Sequence, residues 1–306
     1  MTIIFPLPGN EAMGRRLAQL LDAGIGALET RRFPDGETYV RLIDDVTDQD
    51  IALLCTLAEP DDQILRLLFA ADTARDLGAR SLTLIAPYLA YMRQDRRFRR
   101  GEAITSRSFA RLLSGSFDRL ITVSPHLHRY ASLSEIYQLD AVALDAAAPI
   151  AAWITAQVEA PLLIGPDRES EQWVASVAQL VGAPYAVATK LRHGDRSVAV
   201  QMPPLQGHRG RQPVLVDDVI SSGATLRSAA TALRAAGFRK PICVAVHGLQ
   251  SERDATRLRD EVDRLVTTDS IPNDFEAIGL APLLASAWAV PAMPARAERY
   301  HAQSRR

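Results

Sequence analysis

Cysteine is nearly absent from these 306 residues. Cys55 and Cys243 each sit inside a short apolar run, where a free thiol behaves as a small hydrophobe. Two such thiols exclude a disulfide framework and a cysteine zinc site. An excess of charge of either sign is also lacking: 35 Lys and Arg face 36 Asp and Glu, a net charge of −1. No overall field draws the chain to nucleic acid or to an anionic membrane, and any polyanion it binds must be a small one met by a local patch. No apolar run approaches the roughly 20 residues of a membrane span, and residues 1–6 place no basic region before their apolar ones. These absences predict a soluble chain of the reducing cytoplasm. What is present is ordinary globular material, 47% hydrophobic and 23% charged, which excludes disordered and fibrous classes. At about 150 residues per domain the length predicts two domains.

Short apolar runs at residues 51–57, 82–86, 120–123, 162–164, 214–216, 242–246 and 265–267 are too short for independent helices and read as buried strands. Between them Ile64, Leu65, Leu67, Leu68, Ala71 and Leu77 recur at helical spacing. So do Trp173, Val174, Val177, Ala178 and Val181, and again Leu226, Ala229, Ala230 and Leu233. This alternation predicts an α/β fold of mainly parallel sheets flanked by helices. The Ala-rich stretch 141–160, with Pro149, is the expected domain boundary. Residues 193–212, rich in Gly, Pro, Arg and Gln with little periodicity, read as a long loop, either an active-site flap or a plain surface connection.

The most informative segment is Asp217-Asp218-Val219-Ile220-Ser221-Ser222-Gly223-Ala224-Thr225. It follows a buried strand and precedes a helix expected to start near Leu226. Small residues let backbone approach a ligand closely, helix-start N–H groups carry partial positive charge, and Ser and Thr add donors, so the turn suits a phosphate. The two carboxylates cannot bind phosphate and need another task, such as holding ribose hydroxyls or the waters of a magnesium ion. The plainer alternative makes Asp217 and Asp218 end-of-strand residues and Ser222 or Thr225 a helix N-cap.

A second unusual run is Tyr88-Leu89-Ala90-Tyr91-Met92-Arg93-Gln94-Asp95-Arg96-Arg97-Phe98-Arg99-Arg100, directly after a strand and Pro87. Crowded guanidinium groups repel, and a triphosphate would offset that repulsion through forks that match phosphate oxygens. The alternatives are a solvated charged loop or a nucleic-acid patch, the latter disfavoured by the balanced total charge. Phe33-Pro34-Asp35-Gly36-Glu37 reads physically as a turn before an alternating strand, residues 38–42. His126 and His128 follow the strand at 120–123. In an extended segment they would point to opposite faces and could not chelate one ion together. Asp167 follows the strand at 162–164 and reads as a helix N-terminal residue. Alternation puts Lys190 and Arg192 on one face at the end of a strand-like stretch, where both could meet a phosphorus centre.

Taken in order, these motifs resemble the ribose-phosphate diphosphokinases, the phosphoribosyl pyrophosphate synthetases. The Asp217 to Thr225 segment is similar to the loop that these enzymes share with phosphoribosyltransferases. The Tyr88 to Arg96 run resembles the synthetases' ATP-binding stretch, which ordinary phosphoribosyltransferases lack. Ser221 stands where many bacterial synthetases carry a third Asp, and the archaeal-type subclass commonly has Ser there. The resemblance covers most of the chain, from Phe33 to at least Pro272.

The resemblance implies two phosphoribosyltransferase-like domains, residues 1–145 and 146–280, with a C-terminal helix in 281–306 packing on the first. It implies transfer of a diphosphoryl group from ATP to ribose 5-phosphate. Phe33, Asp35, Gly36 and Glu37, commonly reaching a neighbouring subunit, would bind ATP with Arg93, Gln94, Asp95 and Arg96. Ribose 5-phosphate would fall to Arg192, Asp217, Asp218, Ser221, Ser222, Gly223, Ala224 and Thr225. Lys190 and Arg192 would be catalytic, and His126 and Asp167 would address Mg2+. The expected assembly is a homo-oligomer, a dimer or higher, with no nucleic-acid or membrane partner. The competing expectations are a non-catalytic regulatory paralogue and a phosphoribosyltransferase that would leave the arginine run without a task.

Overall fold

The computed structural model describes residues 1–193, 197–274 and 276–288, without the side chains of residues 191–193 and 197–199. The described residues form two compact units, Met1–Leu144 with Ala281–Trp288, and Asp145–Leu280.

The first unit runs β1 (Thr2–Pro6), α1 (Glu11–Leu21), β2 (Gly24–Ile25), β3 (Leu28–Arg32), β4 (Thr38–Leu42), β5 (Asp50–Leu54), α2 (Pro60–Asp76), β6 (Ser81–Ala86), α3 (Thr105–Ser116), β7 (Arg119–Val123) and β8 (Asp140–Leu144). Its six-stranded parallel sheet has the order β2-β1-β5-β6-β7-β8. Strands β5, β6 and β7 are buried on both faces, which is why they read as continuous apolar runs. Ile51, Leu53, Leu82, Leu84 and Leu120 share one core with Leu67, Ala70 and Ala74 of α2 and with Phe109, Ala110 and Leu113 of α3. Strand β1 is not among the expected strands, yet it lies inside the sheet with Ile4 and Phe5 fully buried. Five residues ending at Pro6 are too brief to show a period. β3 and β4 form a separate antiparallel hairpin that packs on α2.

The second unit continues with α4 (Ala147–Gln157), β9 (Pro161–Gly165), α5 (Glu171–Val181), β10 (Tyr185–Val187), β11 (Thr189–His193), β12 (Ser197–Gln201), β13 (Gln212–Ile220), α6 (Ala224–Ala235), β14 (Ile242–Gly248), α7 (Glu252–Arg259), β15 (Arg264–Thr268) and β16 (Glu276–Ile278). Its parallel sheet has the order β10-β9-β13-β14-β15-β16. Leu162, Ile164, Leu215, Cys243 and Leu265 pack under Leu226, Ala229, Ala230 and Leu233 of α6 and Leu258 of α7. A last helix, α8 (Ala281–Trp288), returns to the first unit, where it packs on α1 and Arg119 Nη2 donates to the Ala287 carbonyl at 3.0 Å.

The boundary between the two units, at Leu144 and Asp145, falls inside the stretch 141–160. That stretch holds most of β8 and the whole of α4, because alanine is the best helix former and Pro149 falls in the first turn, where its missing N–H has no intrahelical partner to lose. One expectation about connections needs correction: 193–212 is not one irregular loop, for β12 pairs antiparallel with β11 along Val198 and Val200. An alternation of so few residues is hidden in the sequence by the Gly and Arg before it. Among the described residues no helix is long and apolar enough to cross a membrane.

Candidate active site

In a parallel sheet the carboxyl ends of the strands are where ligands meet the backbone, and there β13 overshoots its expected end. Pairing with β14 continues through Asp217↔Ala245, Val219↔His247 and Ile220↔Gly248, so both aspartates lie within the strand. The chain then turns through Ser221 and Ser222 to Gly223, which sits at φ +66°, and α6 starts at Ala224 rather than near Leu226. A Cβ on Gly223 would stand 3.3 Å from Leu258 Cδ2. Left-handed backbone and close packing both ask for glycine here. Neither Ser222 nor Thr225 is the N-cap. Gly223 holds that position without a side-chain cap, and Ser222 Oγ lies at a long 3.4 Å from the Ala224 N–H. The first-turn N–H groups of α6 therefore lack intrahelical partners beside two exposed serines.

Lys190 reaches this turn. It sits on β11 opposite Val200, which packs partly buried against the core under α6, and its Nζ donates to Thr225 Oγ1 at 3.3 Å. The backbone of Arg192 pairs with Val198 on the same hairpin, and its side chain lies outside the described residues. Arg227 is a site residue that the motif reading passed over. Its Nη1 donates to the Ser222 carbonyl at 2.9 Å, bracing the turn from one helical turn downstream. An arginine four residues after the N-cap glycine is the signal that could have found it.

Asp167 stands beyond β9, the strand adjacent to β13. It caps a short 3-10 turn, Arg168–Ser170, by accepting the Glu169 N–H at 3.1 Å. Gly165 makes the return possible, since a Cβ there would lie 2.5 Å from Ser170 Oγ. Asp217 accepts the Asp218 N–H at 3.0 Å. Burial, followed by the neighbouring carboxylates of Asp218 and then Asp167, pushes its carboxyl well above the usual range.

Folding thus crowds like charges at one strand end. A carboxyl raised by folding contributes its full stability below the unfolded value near 4 and loses it as pH rises through the raised one. Asp217→Asn should therefore raise the ligand-free melting temperature at neutral pH. The expected rise is about 2–4 °C, the size produced by about 1 kcal/mol, and it should vanish in acid. Scanning calorimetry across pH checks this, and an unchanged or lower neutral melting point refutes the crowding.

In the first unit, Arg93 and Arg96 are exposed and Gln94 is half-buried beyond the carboxyl end of β6. Buried Met92 anchors the segment before Arg93. Asp95 does not join them at the surface. Its side chain is 2% exposed and both carboxylate oxygens lie 2.9 Å from Arg129 Nη1, so it is turned inward. The expected opposition of His126 and His128 also fails. A bend at His128 breaks the extended chain, and the two rings stack with centroids 5.8 Å apart. Residues 33–37 form the tip of the β3–β4 hairpin. Phe33 and Glu37 pair there, Gly36 sits at φ +92°, and Asp35 accepts the Glu37 N–H at 3.1 Å. Arg31 lies over both Phe33 and Tyr39, at 4.5 and 4.3 Å from their ring centres, and holds the half-exposed Phe33 in place. Among the described residues no group of three or more His, Cys, Asp or Glu is placed to hold a metal ion alone.

Two α/β units, one carrying a strand–Asp-Asp–Gly–helix turn, define a phosphoribosyltransferase-type protein. Residues 132–283 match the phosphoribosyl transferase domain model, and residues 2–116 match the N-terminal domain of ribose phosphate pyrophosphokinase. A ribose-phosphate pyrophosphokinase of Methanopyrus kandleri is 35% identical over 279 residues, covering 90% of this chain and 94% of that one. One of Saccharolobus solfataricus is 33% identical over 283 residues, 90% and 96% of the two chains. The crystal structure of phosphoribosylpyrophosphate synthetase from Mycobacterium smegmatis superposes with a TM-score of 0.81 at 25% identity over 94% of this chain and 97% of the other. The chain belongs to the ribose-phosphate pyrophosphokinase family and is an enzyme of that class.

Proposed function

We propose that the chain transfers the β,γ-diphosphoryl group of ATP to the C1 hydroxyl of ribose 5-phosphate, giving phosphoribosyl pyrophosphate and AMP. The observation that carries this reading is the turn from β13 into α6, with Lys190 donating to Thr225 inside it. The N–H groups at the start of α6 and the Ser221, Ser222 and Thr225 hydroxyls receive the 5-phosphate, and Gly223 and Ala224 let it approach the backbone. Asp217 and Asp218 orient the ribose hydroxyls. Arg93, Gln94 and Arg96 take the triphosphate, while Asp95 supports them from behind. Phe33, Asp35, Gly36 and Glu37 form the tip that completes the nucleotide site of a neighbouring copy in a homo-oligomer.

In-line attack at the β-phosphorus needs positioning and charge neutralisation more than proton transfer. No motif residue serves as a general base. Lys190 with Arg192 stabilises the charge that develops on the transferring group. Among the described residues no cluster of His, Cys, Asp or Glu suffices to hold an ion alone, so Asp167 in the second unit and His126 in the first would each address a Mg2+ held mainly by water and phosphate oxygens. Such an ion, shared with phosphate oxygens, supplies charge neutralisation of the triphosphate when bound.

The deciding assay follows AMP from ATP with and without ribose 5-phosphate. AMP release that depends on the sugar phosphate supports the reading, and ADP as product or no reaction refutes it. Arg93→Ala should raise the KM for ATP by about tenfold or more, the loss of one charged contact, with the KM for ribose 5-phosphate within twofold. Equal losses for both would make the arginine run structural.

A further inference from the structure

The arginine segment and the histidine segment of the first unit are clamped together by a single buried carboxylate. Asp95 takes Arg129 Nη1 on both oxygens at 2.9 Å, with the carboxylate 2% and the guanidinium 36% exposed. One residue on, Tyr130 OH donates to the Asp95 carbonyl at 3.2 Å and stands 3.0 Å from Ser106 Oγ. The Ser106 N–H in turn faces the Gln94 carbonyl at 3.4 Å. The clamp lies two residues from Arg93 and three from His126, and it spans two strand ends that the sheet sets side by side, β6 and β7.

Charge explains why such a clamp would serve the site. An aspartate flanked by Arg93 and Arg96 would ordinarily pair with one of them and reduce the positive charge offered to a phosphate chain. Arg129 occupies both of its oxygens, so the guanidinium groups of Arg93 and Arg96 keep their charge toward the ligand. A buried carboxylate that lost this partner would either draw in a neighbouring arginine or disorder the segment. We propose that Asp95 and Arg129 are a positioning pair. By this proposal they contact no substrate themselves, and they fix the Arg93 segment against the His126 segment in the arrangement that binds the triphosphate. The proposal rests on the reading of Arg93 as an ATP ligand.

The test uses steady-state kinetics of the full chain with Arg129→Gln, Asp95→Asn, the double variant and Arg93→Ala, each first checked for a cooperative melt. The expected result is a rise of tenfold or more in the KM for ATP in each single variant, with the KM for ribose 5-phosphate within twofold. The double variant should be no worse than the poorer single, because both members act as one device. Asp95→Asn keeps the size and one acceptor of the original, so it decides the matter should Arg129→Gln fail to fold. An ATP KM within twofold of wild type, equal rises for both substrates, or additive effects in the double variant would overturn the proposal. Those results with Arg93→Ala still impaired in ATP binding condemn the positioning pair alone. An unaffected Arg93→Ala condemns the nucleotide reading with it.

Discussion

Replacing Lys190 by alanine is expected to lower turnover by about 100- to 1,000-fold, while the KM for ribose 5-phosphate stays within a few-fold. One preorganised donor aimed at developing charge contributes about 2.7–4 kcal/mol to the transition state, and interactions confined to that state act on kcat rather than on ground-state binding. Lys190 is held for such a role. β11 and β12 support it, and its 3.3 Å contact to Thr225 Oγ1 aims the ammonium at the turn proposed to receive the phosphosugar. Loss of that contact alone should be a small ground-state effect, because a long hydrogen bond between partly exposed groups is weak. Measuring kcat and both KM values decides the question. Near-normal turnover, or a defect confined to the ribose 5-phosphate KM, would remove Lys190 from catalysis and leave it a strut of the turn.

Gly223→Val is expected to raise the KM for ribose 5-phosphate by more than tenfold. The position holds φ +66°, a conformation that costs a β-branched residue about 1–3 kcal/mol. The new Cβ alone would come within 3.3 Å of Leu258 Cδ2, before either γ-methyl is placed. Leu258 can give way at its methyl, but relief of the backbone strain rotates the first turn of α6, and that moves the N–H groups proposed to hold the phosphate. Because Gly223 lies in the second unit and the arginine segment in the first, the KM for ATP should change by less than threefold. A variant that melts like wild type and keeps its ribose 5-phosphate KM would show that the turn does not bind the phosphate. Gly223→Ala should fall between the two, since it carries the backbone strain without the branched bulk.

Residue order by itself determined a good deal about this protein. Strands buried on both faces must be continuously apolar, so β5, β6, β7, β9, β14 and β15 announce themselves wherever a short apolar run sits between turn residues. The turn from β13 into α6 is equally local: closely approachable backbone, hydroxyls and helix-start N–H groups come from consecutive residues, and their chemistry survives any packing. Tertiary structure decided what consecutive residues cannot express. Asp95 reads as a member of an exposed charged run, and only the return of the chain at Arg129 turns it inward. His126 and His128 would diverge on an extended strand, and the bend of the folded chain at His128 brings their rings together. Asp167 is a helix-capping residue by its own neighbours. It raises Asp217 only because β9 and β13 are adjacent in a sheet whose order differs from the order of the chain. Local preference is encoded over three or four residues, whereas charge pairing and burial depend on which distant strands become neighbours. That choice belongs to the fold as a whole.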